Sequence, residues 1–550
     1  MPAVIISALI LFLSLDPGPE VVDRGLPSSG ESPPIGLTLV DSMAGPVLNV
    51  PLAARSFSFS LADRPAQDEK KVPPHQRKKP GRAILEFAAI MAVSQANYWI
   101  KYDHWSEDWE YRATWADQKR RFFGFEAWKF DTNRYGTNWT HSLSGTINYS
   151  LARANGLDIA ESMRFGLAAA LYWEYIVEYK EVLSINDTII NPLAGMSLGE
   201  AWHQIGLFFA NRQGIAARLL SFFNPIIKIN RRLDGGRGPG GMNPGAGGHD
   251  IHFDIGYCAV RAGKTPYPSD LLHLGFRAAL MNVAGWGGPG RLDLRADTPA
   301  SELRAGALIK AGRIEEFDLS SRVVLTALVR QHAGPGPRGI AWSLGLGSGL
   351  SVLNKRAVAG YDQGRVDYGD LDALRLEEPR NFRDKFCIVH VIGPAFDAAF
   401  YNRDLRIRLK WDAYLDFSLM HAFALNSFSR RRSIQGFKPT LLYYGYYYGL
   451  GLSSLAGFSA DWRSLRLGGG VDVHLANAID GRNRFQGIFE DDIAAKDSRL
   501  RLELGFGIRL PGIPARVAMR WEGIARKGVL SDITDREFEN RVFADLQLVF

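Results

Sequence analysis

The C-terminal part of the chain alternates apolar and polar residues with a period of two, which is the period of a β-strand. In the run 405–419, LRIRLKWDAYLDFSL, odd-numbered positions are apolar or aromatic and even-numbered positions are polar, most of them charged. The run 499–510 repeats this pattern, and a third alternating run ends at Phe550. Strands of this length exceed most strands of soluble proteins and suit a tilted strand that crosses a membrane.

About twelve such strands fit between His252 and Phe550. Short connections are predicted near residues 334–338, 401–403, 455–457 and 511–514, and long ones at 355–383, 421–438 and 479–498. An even strand count and alternating short and long connections predict an antiparallel transmembrane β-barrel, with the short turns and the C-terminus in the periplasm. Outer-membrane lipid and the barrel-assembly machinery are then the expected partners, and the terminal phenylalanine resembles the assembly signal of bacterial outer-membrane barrels.

The segment 82–233 changes to the helical period and predicts a helical domain, which the barrel topology places in the periplasm. The run 82–100 is a first amphipathic helix, and Asn155 with Gly156 predicts the C-terminal cap of a later one. Asp158 and Glu161 have the spacing of a capping box that opens the next helix.

The remaining segments connect these parts. The apolar run at 3–15 predicts an export signal over residues 1–15, with a buried start as the alternative. Residues 16–81 are rich in proline, serine and charge and predict a disordered tether, and residues 234–249 predict a glycine-rich hinge before a barrel at 250–550. No later segment reaches 18 uninterrupted apolar residues, so no ordinary transmembrane helix is predicted.

Composition narrows the class of protein further. At 550 residues the chain is long enough for more than one domain. Two cysteines, Cys258 and Cys387, exclude a disulfide scaffold. The net charge of +7 is modest for this length, and no basic block carries interleaved aromatics, which argues against nucleic-acid binding.

Candidate chemistry concentrates in the helical segment. Three glutamates at positions i, i+4 and i+7 would share one helical face, and like charges so placed require protons, a metal or a basic surface. A histidine beside such carboxylates could act as a general base. The candidate site residues are His141, Glu174, Glu178, Glu181, Asp187 and Asn191.

Three interpretations of this cluster stay open: a buried polar network that fixes helix packing, a divalent-metal site and a hydrolytic site. No cofactor is indicated. Glu200 and His203 have a spacing used by helices that bind metal, although the motif occurs once here and di-iron bundles use it twice. Asn191 followed by Pro192 predicts the start of the last helix of this segment.

The predicted lumen carries many cations. A basic lumen could select an anionic solute. Alternatively, the cations pair across neighbouring strands with Asp412, Asp416, Glu503 and Glu522, or with the helical domain. The predicted inward cations are Arg406, Arg408, Lys410, Arg499, Arg501, Arg516 and Arg520.

The run 138–200 resembles an uncharacterised bacterial family that pairs a helical module with a C-terminal outer-membrane barrel. This resemblance implies an envelope location and brings no established activity. A fainter similarity to VanZ-like envelope proteins lies in a His, a helical Glu and the series Asp187, Asn191, Gly195. The residues that carry the first resemblance are Asn138, His141, Ala152, Arg153, Trp173, Glu174, Glu178, Glu181, the stretch 184–187 and the stretch 195–200.

The predicted fold class is α+β: an N-terminal helical domain followed by an antiparallel transmembrane β-barrel of about twelve strands. The first functional hypothesis is an outer-membrane channel or scaffold whose helical domain lies against or inside the barrel. The alternative is an envelope lipid- or peptidoglycan-related hydrolase that uses the His/Glu/Asp cluster, and a third hypothesis is a soluble lipid- or sugar-binding barrel. Whether the protein is an enzyme stays open at this point.

Overall fold

The computed structural model describes residues 78–102, 110–210, 224–234, 248–263, 267–334, 338–356, 383–484 and 493–550. These residues belong to one compact unit that spans Gln76–Phe550. The predicted export signal, nearly all of the predicted tether and residues 235–247 of the predicted hinge lie outside the described residues.

The predicted helical segment is helical. Its predicted caps are confirmed: the Asp158 carboxylate accepts from the Glu161 N–H in a reciprocal capping box, and Asn155 is the C-terminal cap of the preceding helix, followed by Gly156, whose φ is 82°. Two short strands, β1 Trp128–Lys129 and β2 Leu183–Ser184, pair in parallel. The helices are α1 Pro80–Tyr102, α2 Trp115–Phe123, α3 Tyr135–Ala154, α4 Ile159–Tyr172, α5 Ile185–Ala210 and α6 Pro225–Leu233.

Twelve further strands form one closed antiparallel barrel, which confirms the predicted fold class. Each strand pairs with the next along the chain, and β14 pairs with β3 to close the ring. The strands are β3 His249–Ala262, β4 Asp270–Met281, β5 Gly290–Lys310, β6 Arg313–Ala333, β7 Arg338–Lys355, β8 Lys385–Asn402, β9 Leu405–His421, β10 Tyr446–Trp462, β11 Leu465–Ala478, β12 Ala495–Arg509, β13 Ala515–Leu530 and β14 Ile533–Val549.

The barrel has two unlike ends. We call the end with the connections at 356–384, 422–445 and 479–494 the loop end; the second of these carries α7 Leu425–Ser429 and α8 Pro439–Tyr444. The opposite end, the turn end, carries the first residue of β3, the C-terminus and the turns at 403–404 and 463–464. The turn predicted at 455–457 is wrong, because these residues lie within β10 and the chain reverses at Arg463, whose φ is 53°.

Side chains alternate between the lumen and the outer face of the barrel wall. Residues directly opposite each other on paired strands share a face. Glu302 and Arg322 therefore share the lumen face, where Arg322 binds Asp412. Leu303 and Ser321 share the outer face, where Ser321 meets Ser197 of α5. Over much of the wall the outward side chains are exposed and apolar. Members of this exposed apolar belt include Leu409, Trp411, Leu415, Leu450, Leu452, Leu467, Leu504, Phe506, Val517, Met519, Val542 and Leu546.

Another part of the outer face is covered by the helices. Helix α5 contacts β4, β5, β6, β7 and β8, and outward residues such as Val323 and Leu350 are completely buried. The hydroxyl of Ser197 on α5 lies 2.6 Å from that of Ser321 on β6, and the ring of Trp139 on α3 packs on Phe317. Helices α3 and α5 therefore share one apolar core with the outer wall, and α1 and α4 pack on these two helices; we call α1, α3, α4 and α5 the helical layer.

The helices of this layer run between the two ends of the barrel. At the loop end, the Asn138 amide donates to the hydroxyls of Tyr446 and Tyr448 at the start of β10, at 2.6 and 2.8 Å. At the turn end, Phe208 near the end of α5 packs on His249, the first residue of β3. The layer is thus level with the strands, and the structure does not show a separate helical domain beyond one rim. A periplasmic position for these helices stays a prediction.

Helices α3 and α5 run in the same direction and touch through glycine. A Cβ on Gly145 would lie 1.8 Å from the Asn191 carbonyl oxygen, and one on Gly195 would lie 2.6 Å from the Gly145 Cα. The absence of a side chain at Gly145 and Gly195 therefore lets the two helices approach closely. The predicted helix start at Asn191 is wrong: α5 begins at Ile185, where the Ser184 hydroxyl accepts from the Asp187 N–H, and Pro192 lies inside the helix.

Candidate functional site

The candidate carboxylates lie where α4 ends, at the loop end. The prediction that they share one helical face is wrong, because α4 ends at Tyr172 and widens into a π-turn over Trp173–Val177. Only Glu174 lies within that turn, whereas Glu178 and Glu181 follow it. The chain reverses there, and this reversal, not a helical period, brings the carboxylates together.

Arg121 on α2 holds the reversal in place. Its side chain is completely buried, and its Nε donates to the Glu181 carbonyl at 2.6 Å. Its terminal nitrogens donate to the carbonyls of Tyr175 at 3.3 Å and Glu178 at 3.0 Å, and also to that of Glu174. A guanidinium so placed satisfies carbonyls that lose their partners where a helix ends, and its charge suits the negative end of the helix dipole.

The carboxylates themselves make specific hydrogen bonds. Glu174 accepts from the Ser184 N–H at 2.7 Å, and Glu178 accepts from the Trp173 indole at 2.7 Å. Asp187 accepts from the Asn186 amide at 2.9 Å and is hydrogen-bonded to Nδ1 of His141. Five of the six predicted site residues, Glu181 included, therefore belong to one polar cluster, because the Glu181 carboxylate lies close enough to act on Glu178.

Two members of the cluster were not predicted. Asp131 precedes α3 and is 7% exposed, and its N–H donates to the Asn186 side chain at 2.9 Å. Arg484 follows β11 and binds Glu110 at 2.7 and 2.9 Å, with a longer contact of 3.7 Å to Glu181. The cluster is thus tied both to the helical layer and to a loop of the barrel. No local sequence signal marks Arg484, because it lies about 300 residues further along the chain.

Burial changes the protonation of these acids. It raises the pKa of Asp131 to about 8, and the charge of Asp187 acts in the same direction while Arg484 opposes it. Burial also raises the pKa of Glu174 well above its usual range, helped by Glu178. For Glu178 the pKa rises well above its usual range through burial and the nearby Glu181. Like charges are therefore avoided mainly by protonation, and Arg484 supplies the neighbouring cation.

His141 is more open to solvent than Asp187, its hydrogen-bonded partner in the cluster. Its side chain is 26% exposed, against 5% for Asp187. Burial lowers the pKa of His141, but the charge and hydrogen bond of Asp187 outweigh this effect, and the net pKa is raised. Because Asp187 engages Nδ1, Nε2 is the nitrogen that can exchange a proton with a bound molecule. This arrangement is that of an oriented general base.

The other predicted residues lie elsewhere. Asn191 is one turn beyond Asp187 on α5, and its carbonyl packs on Gly145. Glu200 is bound by Arg153 at 2.7 and 3.0 Å, by the Tyr149 hydroxyl and by the Gln204 amide.

The metal interpretation gains no support from this geometry. Glu200 is occupied by its neighbours, and His203, whose spacing from Glu200 suggested a metal motif, is buried beside it. Within the described ranges, no three His, Cys, Asp or Glu side chains are grouped so as to hold a metal ion.

The lumen contains a cavity of about 400 Å³ lined by charged side chains. The predicted pairing of its cations is confirmed for Arg501 and Arg520, which both bind Glu522. Arg322 binds Asp412 at 2.7 Å and Asp397 at 3.0 Å. Lys410 binds Glu302 at 2.9 Å, whereas Arg408, Arg499 and Arg516 make no ion pair with any residue of the described ranges.

Residues 127–226 match the model of a family described as a domain of unknown function, DUF3943. The match includes the polar cluster from Asp131 to Asp187 and the contact between α3 and α5. The chain therefore carries this domain and, after it, the closed barrel. No curated protein matches the chain.

Several solved outer-membrane structures are similar in part. OmpT of Vibrio cholerae is 8% identical, covers 55% of this chain and 97% of its own, and has a TM-score of 0.21. The translocator domain of the autotransporter NalP from Neisseria meningitidis is 12% identical, with 58% and 94% covered and a TM-score of 0.18. The β domain of the Bordetella autotransporter BrkA is 10% identical, with 54% and 98% covered and a TM-score of 0.19. The barrel assignment itself rests on the strand pairing of this chain.

The protonated carboxyls make stability depend on pH. A carboxyl whose pKa is higher in the folded than in the unfolded chain binds an extra proton on folding. The stability of the folded protein therefore falls as the pH rises from the ordinary pKa of the carboxyl towards its raised pKa. We expect the heat-induced loss of the compact form in detergent to occur at a lower temperature at pH 8 than at pH 5.

Asp131→Asn should make the stability depend less on pH, because the asparagine amide does not lose a proton between pH 5 and pH 8. Asp293→Asn is the matched control, since Asp293 is 79% exposed and lies at the turn end of the barrel. Gel mobility after heating at a series of temperatures measures the effect. An unchanged pH dependence in Asp131→Asn would show that Asp131 is already ionised in the folded protein.

Proposed function

We propose that this chain is an outer-membrane protein whose barrel is a closed anchor for the helical layer. The observation that carries the proposal is the contrast between the two faces of the barrel wall. Where helices do not cover it, the outer face is an apolar belt that suits lipid, while charged side chains fill the inside. With short turns in the periplasm, the loop end and the polar cluster face the outside of the cell.

Ion pairs across the lumen favour an anchor over a channel. Arg304 on β5 binds Glu503 on β12 at 3.2 Å, and these strands lie nearly opposite each other in the ring. Arg541 on β14 likewise binds Glu316 on β6 at 2.6 Å. A permeating solute would have to separate these pairs.

A conductance experiment tests the anchor. The purified protein should migrate faster on a gel before heating than after it, as folded barrels do, and should give no steady conductance in a planar bilayer. The double variant Arg304→Ala with Arg541→Ala removes two cations whose ion pairs cross the lumen, and it should show a measurable conductance. Arg463→Ala is the control, since Arg463 lies in a turn and is 68% exposed.

Steady conductance by the unaltered protein would contradict the anchor and favour a channel. Loss of heat-dependent migration together with solubility in the absence of detergent would contradict the outer-membrane location and favour the soluble binding barrel.

A second function, hydrolysis of an envelope lipid, is favoured by the His141–Asp187 pair. Nε2 of His141 would take a proton from water, which would attack an ester or amide carbonyl of the lipid. A protonated carboxyl of the same cluster, such as Asp131 or Glu178, would return a proton to the leaving group. The cluster lies at the loop end, and in the proposed orientation this position is beside the outer leaflet and away from peptidoglycan.

Release of fatty acid tests this function. Reconstituted protein is incubated with an outer-membrane lipid extract, and free fatty acid is measured by mass spectrometry. His141→Gln should lower the rate by about 100-fold or more, as expected for loss of a general base. His332→Gln, at an exposed histidine of β6, should leave the rate unchanged. If the unaltered protein releases no fatty acid, the cluster is a structural network and the anchor proposal is unaffected.

A further inference from the structure

Helix α1 presents an apolar face away from the rest of the protein. Exposed positions recur every three or four residues along it, which marks one continuous face. Four of its large side chains, Ile84, Leu85, Val93 and Ile100, are 57%, 72%, 55% and 76% exposed. Asn97 is the polar member of this face. The whole exposed face consists of Ile84, Leu85, Ala88, Ala89, Ala92, Val93, Ala96, Asn97 and Ile100.

The opposite face of α1 carries the polar residues. Arg82 binds Asp234 at 2.8 Å and makes a contact of 3.5 Å with Glu86. Gln95 accepts from the Tyr172 hydroxyl at 3.2 Å, and the Tyr98 hydroxyl donates to Glu181. A surface helix of a water-soluble protein has the reverse order, with its apolar stripe inward and its polar residues in solvent.

The length and direction of α1 match a bilayer. Its 23 residues span about 34 Å, close to the thickness of roughly 30 Å of a hydrocarbon core. It begins at the turn end, where the Lys79 N–H donates to the Asn155 carbonyl, and approaches Glu181 at the loop end. Residues Pro80–Ile100 are long and apolar enough to cross a membrane. The criterion of 18 uninterrupted apolar residues does not select α1, because its inward polar residues interrupt the apolar run.

Helix α2 adds an amphipathic surface at the loop end. The side chains of Trp115, Phe123 and Phe125 are 79%, 78% and 80% exposed, and Lys119 and Arg120 lie on the same short helix as Trp115. The Arg482 side chain, in the connection after β11, donates to the Phe125 carbonyl and places this surface beside the barrel loops. Exposed aromatic rings with basic neighbours are typical of the boundary between lipid tails and head groups.

We propose that the exposed face of α1 contacts the acyl chains of the bilayer, so that the helical layer and the uncovered barrel wall form one lipid-facing surface. The inference rests on the proposed outer-membrane location and replaces the predicted periplasmic domain with one beside the barrel in the plane of the membrane. We assign lipid as the partner of this face for two reasons. The apolar face of α1 is about as long as the hydrocarbon core of a bilayer is thick, and it lies beside a barrel wall that carries an apolar belt.

Fluorescence quenching tests the position of α1. Single cysteines replace Ala89, Val93, Leu452 or Arg463 in a chain with Cys258→Ser and Cys387→Ser, and each is labelled with an environment-sensitive dye. The protein is reconstituted into phosphatidylcholine vesicles with or without a doxyl group midway along the acyl chain, and iodide is the aqueous quencher. Leu452 in the exposed belt is the lipid control, and Arg463, which is 68% exposed in the turn between β10 and β11, is the aqueous control.

The dyes at Ala89 and Val93 should lose as much fluorescence to the doxyl lipid as the dye at Leu452, and should resist iodide. Quenching by iodide, or by neither agent, overturns the inference, because the face is then in water or is covered by protein such as a second copy of the chain. If the dye at Leu452 also escapes the doxyl lipid, the outer-membrane location fails. If only the α1 positions escape it, the location stands and the inference alone fails.

Discussion

The contact between α5 and the outer face of the barrel wall is the interaction on which the rest of the structure depends. Val323 and Leu350 are fully buried beneath the helical layer, and burial of an aliphatic side chain of this size contributes about 1.5–3 kcal/mol. The contact requires α5 to be buried on its other side too, and Gly145 and Gly195 let α3 approach closely enough to cover it. A larger residue at either glycine would separate the two helices, because backbone atoms lie where its Cβ would be.

This packing also explains where the polar cluster lies. Because α3 and α5 both start at the loop end, His141 and Asp187 meet there, and the return of the chain after α4 brings Glu174 and Glu178 beside them. Arg121 supports that return from within, and Arg484 reaches it from a barrel loop. The electrostatic character of the site, several carboxyls kept protonated beside one partly open imidazole, is therefore a consequence of burial against the wall.

Alternation in the run 405–419 was sufficient to predict a long strand and its two faces, and the spacing of Asp158 and Glu161 was sufficient to predict the capping box that opens α4. Leu303 and Leu415 have equivalent places in alternating strands, yet one is 5% exposed and the other 60%. Alternation shows which face a residue occupies and not what covers that face, so the helical layer could not be predicted from it. The end of α4 depends on Arg121, and Asp131 and Arg484 join the site only through tertiary contacts.

The most direct test of a helical layer on the outer wall is a disulfide between α5 and β6. Cysteines in place of Ser197 and Ser321, whose hydroxyls are 2.6 Å apart, are introduced into a chain without its native cysteines, and whole cells are treated with a mild oxidant. The structure predicts an internal cross-link that a gel detects, and none when the cysteine on β6 replaces the lumen-facing Ser320 instead. A cross-link with Ser320→Cys, or free thiols in Ser197→Cys with Ser321→Cys, would contradict the packing of the helices on the outside of the barrel.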